Sequence, residues 1–167
     1  DVFFNKEEDL IRAKEHQLER VITIFPWIAT IDKFQHWVYE NPNHTLEERA
    51  QKWMEILNEF SSEVIDWEGL SEYRTYSWQR QLHLFEVPLY YIEYGIAQLG
   101  AIGLWMQFRK NKEAALNNYM TSLQLGGTKT LPELYSAAGL VFNFSPDYIK
   151  QLMQFVKEEM DKLNVHP

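Results

Sequence analysis

Apolar side chains recur three and four residues apart through most of this chain, with polar residues between them. That spacing lines one face of an α-helix. Asn5, followed by Lys-Glu-Glu-Asp, reads as an N-cap with an acidic first turn. Leu10, Ala13, Leu18, Val21, Ile22 and Phe25 then continue the helical stripe. Pro26 is expected to break or kink this helix, because it lacks the N–H that the preceding turn needs. A second run, Trp27 to Glu40, ends at Asn41-Pro42. Thr45 with Glu48 three residues on is a capping box, and Trp53, Ile56, Leu57 and Phe60 form the stripe behind it.

The periodicity fades between Ser61 and Ser77, where Asp66, Gly69 and Ser71 mark a loop. A short helix bearing Trp78, Leu82 and Phe85 follows, and Pro88 is placed to start a long helix reaching about Lys110. Asn111 caps another, which stops before Gly126-Gly127. A short helix from Pro132 to Ala138, closed by Gly139, precedes a last one from Ser145-Pro146 through Leu163. No segment sustains a period of two with turn punctuation, so no sheet is expected. The pattern predicts an all-α, multi-helical fold in one unit over residues 1–167.

Composition narrows the function. With 46% hydrophobic residues in 167, the chain can build a substantial core. Six Trp and nine Tyr suggest thick helix contacts or the walls of a cleft. A formal charge of −8 argues against nucleic acid as a partner, since that affinity rests on Lys and Arg neutralising phosphates. No apolar run reaches the roughly 18–20 residues that cross a bilayer, so no membrane partner is expected. With no cysteine the chain carries no redox evidence of compartment, and a cytoplasmic location is the default expectation. It opens on Asp1 instead of Met, which reads as processing, trimming or a piece of a longer protein.

Three groupings could carry chemistry. Asp32, His36 and Glu40 share one helix face at i, i+4 spacing, and such groups can ligate a divalent metal. A single straight helix cannot wrap a metal, however, and a polar stripe is more often a solvated face. The glycines and alanines between Gly95 and Gly103 favour close helix packing, since each helical glycine costs roughly 1 kcal/mol relative to alanine. Gly126-Gly127-Thr128-Lys129 lacks the phosphate-loop pattern and reads as a helix end with a turn.

The third grouping is His83 with Tyr90, Tyr91 and Tyr94. On a helix started by Pro88, Tyr90 and Tyr94 would be four apart and Tyr91 and Tyr94 three apart, so some hydroxyls would share a face. Histidine and tyrosine are neutral donors able to meet a developing oxyanion. A lone histidine is more often a core contact, yet several clustered tyrosine hydroxyls need water or a ligand. The two readings, cleft wall and core contact, balance at this stage. What the chain lacks is a catalyst: it has no cysteine, no histidine pair at metal spacing and no serine-nucleophile motif.

Phe34 to Pro42 (FQHWVYENP), Ser77 to Trp105 (SWQRQLHLFEVPLYYIEYGIAQLGAIGLW) and Gly126 to Leu140 (GGTKTLPELYSAAGL) resemble, in order and spacing, the C-terminal part of oligoendopeptidase F, in the thimet-oligopeptidase-like family of zinc metallopeptidases. The resemblance implies an all-helical catalytic domain around a channel for short peptides. In the family, zinc is held by a His-Glu-x-x-His helix and a later glutamate. This chain contains no His-Glu-x-x-His, since the family places it before the position matching Asp1. Zinc is therefore expected in the parent enzyme and none bound by this chain, and the family gives Asp32, His36 and Glu40 no ligand role.

What carries over is the segment of histidine followed by tyrosines. The resemblance assigns His83, Tyr91 and Tyr94 to the tetrahedral intermediate and Tyr90 to substrate, with Tyr90 able to replace Tyr91. The expected partners are short peptide substrates and the remaining N-terminal part of the peptidase, and the isolated chain is expected to be inactive. The alternative is a non-enzymatic helical interaction module derived from the same fold.

Overall fold

The computed structural model describes residues 3–163, and among them there are α-helices and short 3-10 turns but no strand. The helices are α1 (Glu7–Glu40), α2 (Leu46–Phe60), α3 (Ser71–Thr75), α4 (His83–Glu86), α5 (Ile92–Lys110), α6 (Lys112–Leu125), α7 (Leu131–Ala137) and α8 (Pro146–Leu163). The expected all-α class is what the chain adopts. No helix among the described residues is long and apolar enough to cross a membrane. The chain divides into two compact units, one of residues 22–95 and one of residues 1–21 with 96–167.

In the unit of residues 22–95 the core is aromatic. Ile28, Ile31 and Phe34 of α1 pack with Trp53, Ile56 and Leu57 of α2 and with Tyr91. Trp53 is wholly buried and meets Trp27 and Phe34 edge-on, at centroid distances of 5.9 and 5.1 Å. Its indole N–H is satisfied inside by the Arg74 carbonyl (3.0 Å) and Ser77 Oγ (3.2 Å). The capping box at Thr45 forms as the sequence predicts: Glu48 N–H donates to Thr45 Oγ1, and the Glu48 carboxylate accepts from Thr45 N–H.

Three local expectations are corrected. Pro26 does not end its helix, and α1 runs unbroken through it. An interior proline costs about 3 kcal/mol, but Ile24 before it and Ile28 after it both pack on the same core. Burial of both sides holds the helical path, and Thr30 Oγ1 donates to the Pro26 carbonyl at 2.8 Å. The stretch from Ser77 is not one helix: a 3-10 turn over Ser77–Arg80 precedes the single-turn α4. Finally, Pro88 starts no helix. It lies in a turn in which Leu89 takes a left-handed φ of 52°, and α5 begins only at Ile92.

The other unit is built by tight approach. A Cβ on Gly100 would lie 2.5 Å from the Tyr135 hydroxyl, and one on Gly103 would lie 3.1 Å from Leu140 and 3.2 Å from Tyr148. Tyr135 uses that space to donate its hydroxyl to the Ile96 carbonyl at 2.6 Å. Trp105 and Phe155 meet edge-on at 4.7 Å, and the buried Glu159 pairs with Arg109 (3.1 Å) and Lys162 (2.5 Å). The glycine run is thus spent on helix packing, and Gly126 caps α6 before a 3-10 turn with no strand ahead of it.

Candidate functional site

Three segments of the 22–95 unit bring the ring cluster together. The 3-10 turn ends at Arg80, with Gln81 and Leu82 between it and α4, which places His83 at the first position of that helix. The turn after α4 carries Tyr90 and Tyr91, and Tyr94 sits in the first turn of α5. Tyr90 and Tyr91 therefore precede the helix they were expected to share with Tyr94. Leu89 takes a left-handed φ of 52° just before them, and the Tyr90 and Tyr91 carbonyls accept the Glu93 and Tyr94 N–H at 3.0 and 3.3 Å, so Tyr91 and Tyr94 stand one turn apart.

All four rings meet. The His83 imidazole stacks on Tyr90 (6.2 Å, interplanar 15°) and meets Tyr91 (5.0 Å) and Tyr94 (5.6 Å) edge-on. Tyr94 also contacts Tyr90 and Tyr91 at 5.8 and 5.2 Å. Their environments differ. Tyr91 is 8% exposed and belongs to the core, whereas Tyr90 and Tyr94 are 47% and 44% exposed. Burial pushes the Tyr91 phenol above its ordinary value, partly offset by the Trp27 indole N–H, so it stays neutral at physiological pH. The cluster is a buried support under two open hydroxyl-bearing rings.

Polar contacts fix the geometry. Tyr94 Oη lies 3.0 Å from His83 Nε2, and His83 Nδ1 lies 2.7 Å from Gln81 Nε2. Trp27 donates its indole N–H to Gln81 Oε1 at 3.0 Å, and the Arg80 guanidinium lies over the Trp27 ring at 4.5 Å. Gln35, 2% exposed on α1, accepts the Leu89 N–H at 3.0 Å, which pins the left-handed turn. Sequence reasoning missed Trp27, Gln35, Arg80 and Gln81. Spacing gives no sign of Gln35, because a glutamine on a helix reads as surface. Gln81 had a weak sign, lying two residues from the histidine among bulky apolar neighbours.

Asp32, His36 and Glu40 do share a face of α1, and His36 Nε2 lies 3.7 Å from Asp32 Oδ2. His36 and Glu40 are exposed. Burial raises the Asp32 carboxyl above its ordinary value, with the His36 charge opposing, and Asp32 Oδ1 has no hydrogen-bond partner. Among the described residues no group of three histidine, aspartate or glutamate side chains is arranged to hold a metal ion. What the His83 cluster can do chemically is offer neutral hydrogen bonds to an oxygen that gains negative charge.

Comparison with known proteins shows what the chain as a whole is similar to. The sequence model of peptidase family M3 matches residues 2–154. Among solved structures, the chain is similar to PZ peptidase A with an inhibitor, at 32% identity and a TM-score of 0.85, over 93% of this chain and 28% of that one. It is also similar to a structure assigned as oligoendopeptidase F, at 28% identity and a TM-score of 0.79, over 92% of this chain and 27% of that one. A third, assigned as an oligoendopeptidase F from Bacillus anthracis, shares 26% identity with a TM-score of 0.72, over 93% and 24% of the two chains. This chain thus spans about a quarter of the length of the structures it matches. A comparison with curated proteins returned no match.

Proposed function

The chain belongs to peptidase family M3, and on that premise we propose that it is the segment of a zinc-dependent oligoendopeptidase that lines one wall of the peptide channel and supplies the oxyanion donors. The substrates are short peptides, handled in the cytoplasm. The observation that carries this reading is the pair His83 and Tyr94, joined at 3.0 Å with Tyr94 open to solvent and Tyr90 beside it. As a peptide carbonyl becomes tetrahedral its oxygen gains charge, and a donor held in place beforehand costs no reorganisation at that moment. Tyr94 is the principal donor. Exposure favours Tyr90 as the second substrate contact, with Tyr91 seating the cluster on the core.

Hydrolysis in this family also needs zinc, and the residues present do not fit it. Asp32 and His36 are two groups on one helix, already within 3.7 Å of each other, and a third converging ligand is absent among the described residues. The remaining part of the peptidase then supplies the metal and activates the attacking water, and this chain's carboxylates take no part in that step.

Two assays test the reading. In the complete peptidase, Tyr94→Phe and His83→Ala are expected to lower kcat by about 10²–10³-fold, as loss of an oxyanion donor does, with KM changed far less. Unchanged kcat in both removes the assigned roles. The isolated chain is expected to hold no stoichiometric zinc and to cleave no fluorogenic peptide, and turnover with bound zinc would overturn that division of labour.

A further inference from the structure

The hydrogen bonds around His83 form a chain whose direction is set at one end. An indole N–H can only donate, so the Gln81 amide atom facing Trp27 Nε1 at 3.0 Å must be the carbonyl oxygen. The amide nitrogen of Gln81 then faces His83 Nδ1 at 2.7 Å and donates to it. A nitrogen that accepts carries no proton, so the imidazole proton sits on Nε2 and points at Tyr94 Oη, 3.0 Å away. With His83 donating to it, Tyr94 has its own hydroxyl proton free to turn outward, where the ring is 44% exposed.

We propose that Trp27 and Gln81 are positioning residues that lock His83 as the Nε2–H tautomer and thereby make Tyr94 a hydrogen-bond donor toward the substrate oxygen. This rests on the oxyanion role proposed above and adds its control. Were the amide of Gln81 reversed, Nδ1 would carry the proton, Nε2 would accept from Tyr94, and the phenol would have no proton left to offer an oxyanion. The neighbours agree with the direction. Trp27 is held in place by its edge contact with Trp53 and by the Arg80 guanidinium over its face.

The test reads the tautomer itself. In the ¹⁵N-labelled chain, long-range proton–nitrogen correlation of the His83 ring, assigned by its loss in His83→Gln, is expected to show Nδ1 bare and Nε2 protonated. Gln81→Glu keeps the shape but leaves only acceptors, so Nδ1 should become protonated. Trp27→Phe keeps a ring against Trp53 and frees the amide to rotate, so a population protonated at Nδ1 should emerge. If the chain alone gives no resolved His83 signals, the same spectra are recorded in the complete peptidase. A wild-type ring protonated at Nδ1, or a Gln81→Glu spectrum identical to wild type, overturns the proposal. In the complete peptidase Gln81→Glu should lower kcat at least tenfold with KM within about twofold, whereas a merely structural glutamine would move both or neither. Because the spectrum needs no substrate, the two ideas fail separately. An intact tautomer with no kcat effect of Tyr94→Phe removes the peptidase role alone, and a wrong tautomer with that effect present removes the relay alone.

Discussion

Replacing Gln35 by leucine isolates the contact that shapes the tyrosine turn. Leu89 holds a φ of 52°, and a non-glycine residue in the left-handed region costs roughly 1–2 kcal/mol. The side chain that holds it there is Gln35, 2% exposed, accepting the Leu89 N–H at 3.0 Å. Leucine has a similar volume and no acceptor, so the Leu89 N–H loses its partner at a part-buried position on an exposed residue, where water replaces only part of the bond. Loss of such a hydrogen bond costs about 0.5–1.5 kcal/mol. The Gln35 amide N–H also faces Tyr39 Oη at 3.4 Å, which is too long to add much. Removing a buried amide returns part of the cost, since leucine prefers the apolar surroundings. The net expectation is a loss of about 0.5–1 kcal/mol, read as a lower urea midpoint with an unchanged slope. For a chain of this size that is a fall in Tm of roughly 1–4 °C. In the complete peptidase kcat should fall as well, because Tyr90 and Tyr91 ride on the turn. A Gln35→Leu chain as stable as its parent would refute the argument that this hydrogen bond holds the turn.

The glycines of α5 should respond differently to alanine. At Gly100 the new methyl would sit 2.5 Å from the Tyr135 hydroxyl, so an overpacking cost of about 1–3 kcal/mol and a weakened bond to the Ile96 carbonyl outweigh the roughly 1 kcal/mol of helix propensity gained. At Gly95 the nearest atom, Ile28 Cγ2, would be 3.4 Å away, and alanine should be neutral or stabilising; equal effects at both sites in thermal melts would contradict the packing account. Asp32 predicts a pH dependence. Burial raises its folded pKa above 3.8, so its favourable contribution is present below the unfolded value and is lost as pH rises through the folded one. Asp32→Asn should therefore raise the urea midpoint at neutral pH, with the gain disappearing as pH falls toward 3.8, and a gain independent of pH would refute it.

Helical periodicity and caps carried most of the fold, because they depend on neighbours a few residues apart. Thr45 and Glu48 satisfy each other within one turn, so their box forms whatever the rest of the chain does. Pro26 failed as a stop signal since its local cost met burial on both sides, which comes from α2 packing on α1 and cannot be read from residues 22–30 alone. Pro88 failed for the opposite reason. A proline at a first helical turn and a proline in a tight turn look alike until Leu89 is seen to be left-handed, and what permits that is a glutamine 54 residues away.

The site divides the same way. His83 and the tyrosines stood out because one short segment contains them, and the segment resembles a known family. Tyr91 and Tyr94 do stand one turn apart, with the Tyr94 N–H donating to the Tyr91 carbonyl, but the left-handed turn at Leu89 just before them had no local sign. Trp27 and Gln81, which orient the histidine, come from positions 54 residues apart, and no local pattern connects them. Residues that touch a substrate can cluster in sequence, whereas residues that aim them are gathered by the fold.

Affinity for a transition-state mimic tests the oxyanion assignment most directly. A phosphinic peptide presents the tetrahedral oxygens that form only as the peptide bond breaks, so a residue acting in that state affects its binding more than substrate binding. In the complete peptidase, Tyr94→Phe is predicted to weaken phosphinic-peptide inhibition by about 10²–10³-fold while substrate KM stays within a few-fold, matching the expected loss of kcat. Equal weakening of inhibitor and substrate, or none of either, would contradict the claim that Tyr94 meets the developing oxyanion.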